Sequence, residues 1–297
     1  MTNPPVPAAR HWNTWDPVYP AEMVHLPTGT HIALAAYSDA TGTVSRFAPG
    51  AGVTLGPRTV DATAIDLELE LAGTRLAVRI GGAGADSFKI SWRTLASGEW
   101  GLRFWLLVCL WRDGDHAGCG YDPDSTEMSV PAGHGWVVLK GPRFPLMATF
   151  HHDFAALVEE YATKGYFYLA SRGTAGPMGV LRYNLEEMPD FEVAAAWATD
   201  RQSAAALAET ALAAGPAAPA PTLHRGRFEG ALDAMRDCVA WNTVWDASNQ
   251  RPYTSLSRAW VAQKFGGWGV WLNDVVYHGV MGGLFDPDIA HENQRAV

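Results

Sequence analysis

The stretch AIDLELELAGTRLAVRIGG, Ala64 to Gly82, alternates apolar and acidic residues through its first half. Side chains along an extended chain point alternately to opposite faces, so Ile65, Leu67, Leu69 and Leu71 share one side and Asp66, Glu68 and Glu70 the other. One dry face and one wet face predict a half-exposed antiparallel strand. FWLLVCLW, Phe104 to Trp111, is by contrast apolar throughout and predicts a strand buried on both faces, in the middle of a sandwich. THIALAAYS (30–38), SFKISWRTLA (87–96) and HGWVVLKG (134–141) repeat the β-rich texture between short runs of Gly, Pro, Asp and Thr. Many such strands joined by turns predict two packed antiparallel sheets.

The texture changes at Thr149. FAALVEEYA, Phe154 to Ala162, has helical apolar spacing, with Gly165 placed to stop it. GVLRYNLEEM (179–188) and DFEVAAAWAT (190–199) return to strand. From Arg201 to Ala214 the chain is Ala-rich and helix-prone, and GPAAPAPT (215–222) cannot continue a helix. The expected organisation is a β-sandwich domain over residues 1–200, a helical and Pro/Ala linker over 201–225, and a helical region over 226–297. There, Phe228, Leu232, Met235, Val239 and Trp241 or Asn242 fall at steps near one helical turn, with Asp246 and Asn249 to close it. RPYTSLSRAW (251–260) reads as irregular. A second helix is predicted from Trp271 to Phe285, ending at Asp286-Pro287, and DIAHENQRAV can begin another. Two or three such helices do not enclose a core of ordinary domain size. Either something is missing, in which case exposed apolar helix faces and self-association through them are expected, or these helices pack entirely on the sandwich.

Composition narrows the partners. A chain of 297 residues with 48% apolar content builds a core without difficulty, and its formal charge of −9 is spread without long blocks of one sign. Nucleic acid is disfavoured as a partner. No apolar run reaches the length of a membrane span, and MTNPPVPAARHWNTWDP lacks the apolar core of a signal peptide. Cys109, Cys119 and Cys238 are widely spaced and suit buried free thiols in a reducing compartment, so a cytoplasmic protein is expected. Thirteen Trp residues, scattered from Trp12 to Trp271, stand out. Indole rings are core fillers by default. The alternative is carbohydrate, because a sugar ring has an apolar face that stacks on indole and hydroxyl edges that need polar neighbours.

Three local patterns carry less. His151, His152 and Asp153 are adjacent, so their side chains diverge and rarely share a metal. GGAGAD (81–86) lacks the Lys-Ser/Thr ending of a phosphate loop and reads as a turn. DGDHAGCGYDPDS (113–125) is acidic and Gly-rich enough to suggest calcium, yet reads more simply as a surface hairpin loop. No nucleophile elbow and no Cys/His pair for covalent catalysis is found. Neither a metal nor a cofactor is expected.

WNTVWDASNQRPYTSLSRAW (241–260) followed by GGWGVWLNDVVYHGVM (266–281) resembles the opening of the catalytic (α/α)6 barrel of glycoside hydrolase family 63 and its bacterial relatives. These include α-glucosidases and mannosylglycerate hydrolases, with trehalases as more distant kin. Gly266, Gly267, Trp268 and Asp274 match the family pattern. Trp271 and Tyr277 stand where that pattern has Phe, Asn273 where it has Trp, and Val275-Val276 where it has Thr-Phe. The preceding β-rich region is similar to the family's large N-terminal sandwich.

The resemblance implies a supersandwich-like β domain followed by the first helices of an incomplete barrel. It implies an inverting enzyme for α-glycosides, with an oligosaccharide or small glycoside as partner. Inversion needs two carboxyls about 6.5–9.5 Å apart, with a water between one of them and the anomeric carbon. In the family the acid is an Asp and the base a Glu on later barrel loops, which places both beyond Val297, and residues 1–297 are expected to be inactive by themselves. Asp274 corresponds to a carboxylate that binds hydroxyls in the −1 subsite, with Arg258 near the same pocket, Trp268 or Trp271 covering a sugar face, and Asn273 able to bond a hydroxyl. Against this stand structural roles: a capping carboxylate for Asp274, an ion-pair partner for Arg258, and core packing for both Trp residues. The rival reading of the whole chain is a non-catalytic carbohydrate-binding or interaction protein, or a homodimer completed by its helical tail.

Overall fold

A computed structural model describes residues 12–13, 19–48, 50–58, 64–84, 86–114, 118–165, 174–214, 225–246, 248–249, 251–256 and 269–297. Among these residues, two antiparallel sheets face each other. The smaller contains β1 (Trp12–Asn13), β2 (Glu22–His25), β3 (Thr30–Ser38), β4 (Thr43–Ser45), β9 (Phe104–Arg112), β13 (Met147–His151) and β15 (Met178–Tyr183). Its order is β1-β2-β3-β9-β15-β13, with β4 added beside β3. The larger contains β5 (Val53–Arg58), β6 (Ala64–Leu71), β7 (Thr74–Gly82), β8 (Ser87–Ala96), β10 (Cys119–Asp122), β11 (Glu127–Ala132), β12 (Gly135–Lys140), β14 (Ala175–Gly176) and β16 (Asp190–Ala198). These run in the order β14-β10-β11-β12-β16-β8-β7-β6-β5.

The alternation in β6 has the expected result. Ile65, Leu67 and Leu69 are buried between the sheets, while Asp66 and Glu68 pair outside with Arg79 and Arg75 of the neighbouring strand. β9 is buried on both faces because each face has its own cover. Leu106, Val108 and Leu110 meet Leu67, Val78, Ile90 and Val137 of the opposite sheet. Trp105, Leu107 and Cys109 lie beneath Leu157 and Tyr161 of helix α1 (Phe154–Lys164). The Asp153 carboxylate caps α1 by accepting from the Ala156 amide at 2.8 Å, and Gly165 ends it at φ 62°.

Helix α2 (Arg201–Ala213) lies on the outer face of the larger sheet. Ala204, Ala208 and Ala211 form a buried stripe whose small side chains permit close approach to Val138 and Ala198. The Lys89 ammonium donates to the Leu212 and Ala214 carbonyls at 3.3 and 2.9 Å, which answers the helix's C-terminal dipole.

Further along are α3 (Ala231–Asn242), a hairpin of β17 (Thr243–Asp246) and β18 (Arg251–Thr254), α4 (Leu272–Gly282) and α5 (Pro287–Arg295). Two expectations are corrected here. The start of the segment read as irregular, Arg251–Thr254, is a strand, because the Asp246 carboxylate accepts from the Ser248 and Asn249 amides and folds the chain back on itself. Cys238 is exposed, unlike Cys109 and Cys119, because it lies on the outer side of α3 while Val239 takes the buried position.

A charged centre sits on the outer face of the smaller sheet beside the start of α1. His31 is buried, with Nδ1 2.6 Å from Glu22 Oε1 and Nε2 2.8 Å from Asp113 Oδ2. Its ring stacks on Trp111, directly opposite in register, at 4.9 Å. Arg46 donates to the second Glu22 oxygen and lies 3.7 Å above the Tyr19 ring. Burial pulls the His31 pKa down, but the hydrogen bonds to Asp113 and Glu22 and the charges of both outweigh it and raise the value from 6.5 to about 9. A group whose pKa is raised by folding contributes its full stability below its unfolded pKa. That contribution, on the order of 3 kcal/mol, is lost as pH rises through the folded pKa. Guanidinium unfolding at closely spaced pH values is therefore expected to show stability falling from about pH 6.5 to about pH 9, with the slope in that window removed by His31→Gln.

Candidate functional site

Helix α4 carries the residues that the sequence singles out. Val275, Gly279 and Gly282 form its buried face. A Cβ at Gly282 would stand 3.1 Å from the Ile289 side chain, so the glycine permits the close crossing of α5. Asp286 holds that crossing: its buried carboxylate accepts from the Asp288 and Ile289 amides at 3.0 and 3.2 Å, with Pro287 opening α5.

Behind the helices is a buried polar node. The Asn293 side chain accepts from the Thr254 amide at 2.6 Å and donates to the Thr254 hydroxyl at 2.9 Å, and that hydroxyl is 3.1 Å from the Thr243 hydroxyl. Asn293, Thr254 and Thr243 are all buried, so the node fixes α5 against the hairpin through satisfied hydrogen bonds rather than apolar contact alone.

A second face of α4, adjoining the first, is apolar and open. Leu272, Val276 and Val280 follow one another at four-residue steps and are 62%, 48% and 67% exposed, with Tyr277 and Leu284 beside them. A helix that is apolar on two faces is the pattern of an element meant to be covered twice.

Asp274, in the first turn of α4 next to buried Val275, is half-buried and lies on the other side of the helix from Leu272 and Val276. Asn273 and Trp271 are exposed, Trp271 standing immediately before the helix. A carboxylate in a first turn is also favoured by the helix dipole, so its place on the helix has a structural cause as well. Arg258 and Trp268 lie outside the described residues. The geometry thus brings Trp271, Asn273 and Asp274 to one helix start.

It adds a residue that sequence reasoning did not assign. His278, one turn after Asp274, is half-buried; burial lowers its pKa, and the Thr254 backbone and the Asp274 charge oppose that shift. Its Nδ1 has no hydrogen-bond partner among the described residues. The four-residue interval from Asp274 was the available signal.

No sequence-predicted residue lines the concavity of about 520 Å³ on the outer face of the larger sheet, which is walled by Asp66, Arg79, Arg93, Asp190 and Glu192. The His-His-Asp run separates as adjacent residues must. His151 is buried 2.8 Å from Glu160, while exposed His152 bonds Asp153. Among the described residues no group of three or more His, Cys, Asp and Glu side chains is placed to hold a metal ion, and no helix is long and apolar enough to cross a membrane.

No protein-family model matches the chain, and none of the curated proteins matches it. Among solved structures it is similar to a bacterial glucoamylase complexed with acarbose, at 11% identity and a TM-score of 0.49. That match covers 72% of this chain and 36% of the glucoamylase chain, so residues 1–297 span well under half of the neighbour's length.

Proposed function

We propose that the chain is the N-terminal part of an inverting glycoside hydrolase of the family 63 type, acting on α-glycosides. In this reading residues 1–200 are the sandwich domain, 201–225 the linker, and 226–297 the opening of an (α/α)6 barrel. The observation that carries it is the doubly apolar α4, one face closed by α5 and the other open along Leu272, Val276 and Val280. The next barrel helices would cover the open face. Asp274, half-buried on the flank of the closed face, would accept bonds from sugar hydroxyls in the −1 subsite, with Asn273 next in sequence, Trp271 or Trp268 against a ring face, and Arg258 donating to a sugar oxygen. The general acid and base would come from later barrel loops.

The coding sequence downstream of Val297 tests this cheaply. The proposal expects a frame long enough for the remaining barrel helices, with a Trp-Asp loop and a later Glu. A stop codon directly after Val297 would contradict it and favour a carbohydrate-binding or interaction protein.

A further inference from the structure

Three loops share one end of the sandwich. There the loops 97–103, 141–146 and 184–189 emerge from β8 and β9, β12 and β13, and β15 and β16. Trp100 projects from the first of them and is 76% exposed. The loop that displays it is tied down on every side. The Gly98 amide donates to the Thr74 hydroxyl at 3.0 Å, and the Ser97 hydroxyl to the Glu99 carbonyl at 2.9 Å. The Glu99 carboxylate accepts from the Ala40 amide at 2.9 Å and from the Ser38 hydroxyl. The Gly101 amide donates to Glu186 Oε1 at 2.7 Å. A pinned loop that keeps an indole in water forgoes the burial that ring would otherwise gain, so the exposed position needs a reason outside the sandwich.

Phe144, 59% exposed, projects from the loop before β13. β9 and β13 flank β15 on its two sides, so the strands bearing the two rings are separated by two inter-strand spacings, about 10 Å. Exposed Glu186 and Glu187 come from the loop between them, and exposed Arg143 adjoins Phe144. Apolar rings thus alternate with carboxylate and guanidinium groups. Leu102 and Leu146 on the same loops are 42% and 43% exposed, yet the four apolar side chains are set among charged Glu186, Glu187 and Arg143, whereas the core of a protein interface is depleted of charge. A polyhydroxylated chain, apolar on its ring faces and hydrogen-bonding at its edges, fits the alternation. Because the Trp100 loop is already fixed, binding would order little.

We infer that Trp100 and Phe144 form a platform for an oligosaccharide chain, holding substrate on the sandwich at a place distinct from the α4 subsite. The α-linkage expected of that chain rests on the proposed function. Isothermal titration of the 297-residue chain with maltoheptaose and, separately, cellohexaose tests both parts. Saturable binding of maltoheptaose is expected, weakened about tenfold by Trp100→Ala and less by Phe144→Ala. The midpoint of thermal unfolding should stay unchanged, since both side chains face solvent. Binding that survives Asp274→Ala separates this site from the subsite. Binding of cellohexaose alone would uphold the platform and overturn the α-glycoside reading. Absence of binding by either sugar, equal binding by Trp100→Ala, or concentration-dependent self-association relieved by Trp100→Ala would overturn the platform.

Discussion

Replacing Glu22 with alanine is expected to lower folding stability by about 3 kcal/mol, the lower end of what breaking a buried ion pair costs. The Glu22 carboxylate is 1% exposed and serves two cations, His31 through one oxygen and Arg46 through the other. Among the described residues, its removal leaves Arg46 with ring faces beneath it and His31 with the Asp113 carboxylate. Some of the loss is cushioned, because Arg46 retains partial access to water and His31 keeps its second carboxylate. Guanidinium unfolding at pH 6, where His31 is fully protonated in the folded chain, reads the effect directly. A loss below about 1 kcal/mol would show that the centre is no stronger than a surface pair. The same variant should flatten the pH dependence between about 6.5 and 9, because His31 then gains less from folding.

That centre could not have been read from sequence. Glu22 and His31 are nine residues apart, but Asp113 lies 82 residues beyond His31, and the pairing of β3 with β2, β4 and β9 brings these residues and Arg46 to one face. What period alone carries was legible: the Leu67–Leu69 face of β6, the double burial of Phe104–Leu110, the Ala stripe of α2 and the break at Asp286-Pro287. Where period is absent, reading failed. Arg251–Thr254 is a strand because Asp246 builds a turn, and four residues are too few for alternation to register. Cys238 is chemically a good core residue, but its burial depends on which side of α3 meets the hairpin and α4, a tertiary fact.

The candidate site was legible as a motif and only in part as geometry. Gly266-Gly267-Trp268 to Asp274 supplied the residues, and three of the five assigned positions, Trp271, Asn273 and Asp274, fall among those described. That apolar helix surface would stand exposed was foreseen in kind, because too few helices were available to close a core. Its orientation could not be: Leu272, Val276 and Val280 are as apolar as Val275, and only the glycines at 279 and 282 decide which side α5 approaches.

The second large effect concerns Asp274. A carboxylate accepting from two sugar hydroxyls makes charge-assisted bonds, and losing them in the transition state is worth about 3 kcal/mol, or roughly 100-fold in kcat/KM. The stability cost should be small by comparison, since Asp274 is only half-buried and its helix-dipole contribution is below about 1 kcal/mol. Asp274→Asn keeps one acceptor oxygen and should recover part of the activity, which a purely structural role would not produce.

The most direct measurement follows the anomeric configuration of the product by proton NMR as the full reading frame, residues 1–297 alone, and full-frame Asp274→Ala each act on a panel of α-glycosides. The account predicts a β-configured first product from the full frame, no turnover by residues 1–297, and rates about 100-fold lower for the variant. Hydrolysis by residues 1–297 alone, retention of configuration, or an Asp274→Ala variant as active as its parent would contradict it.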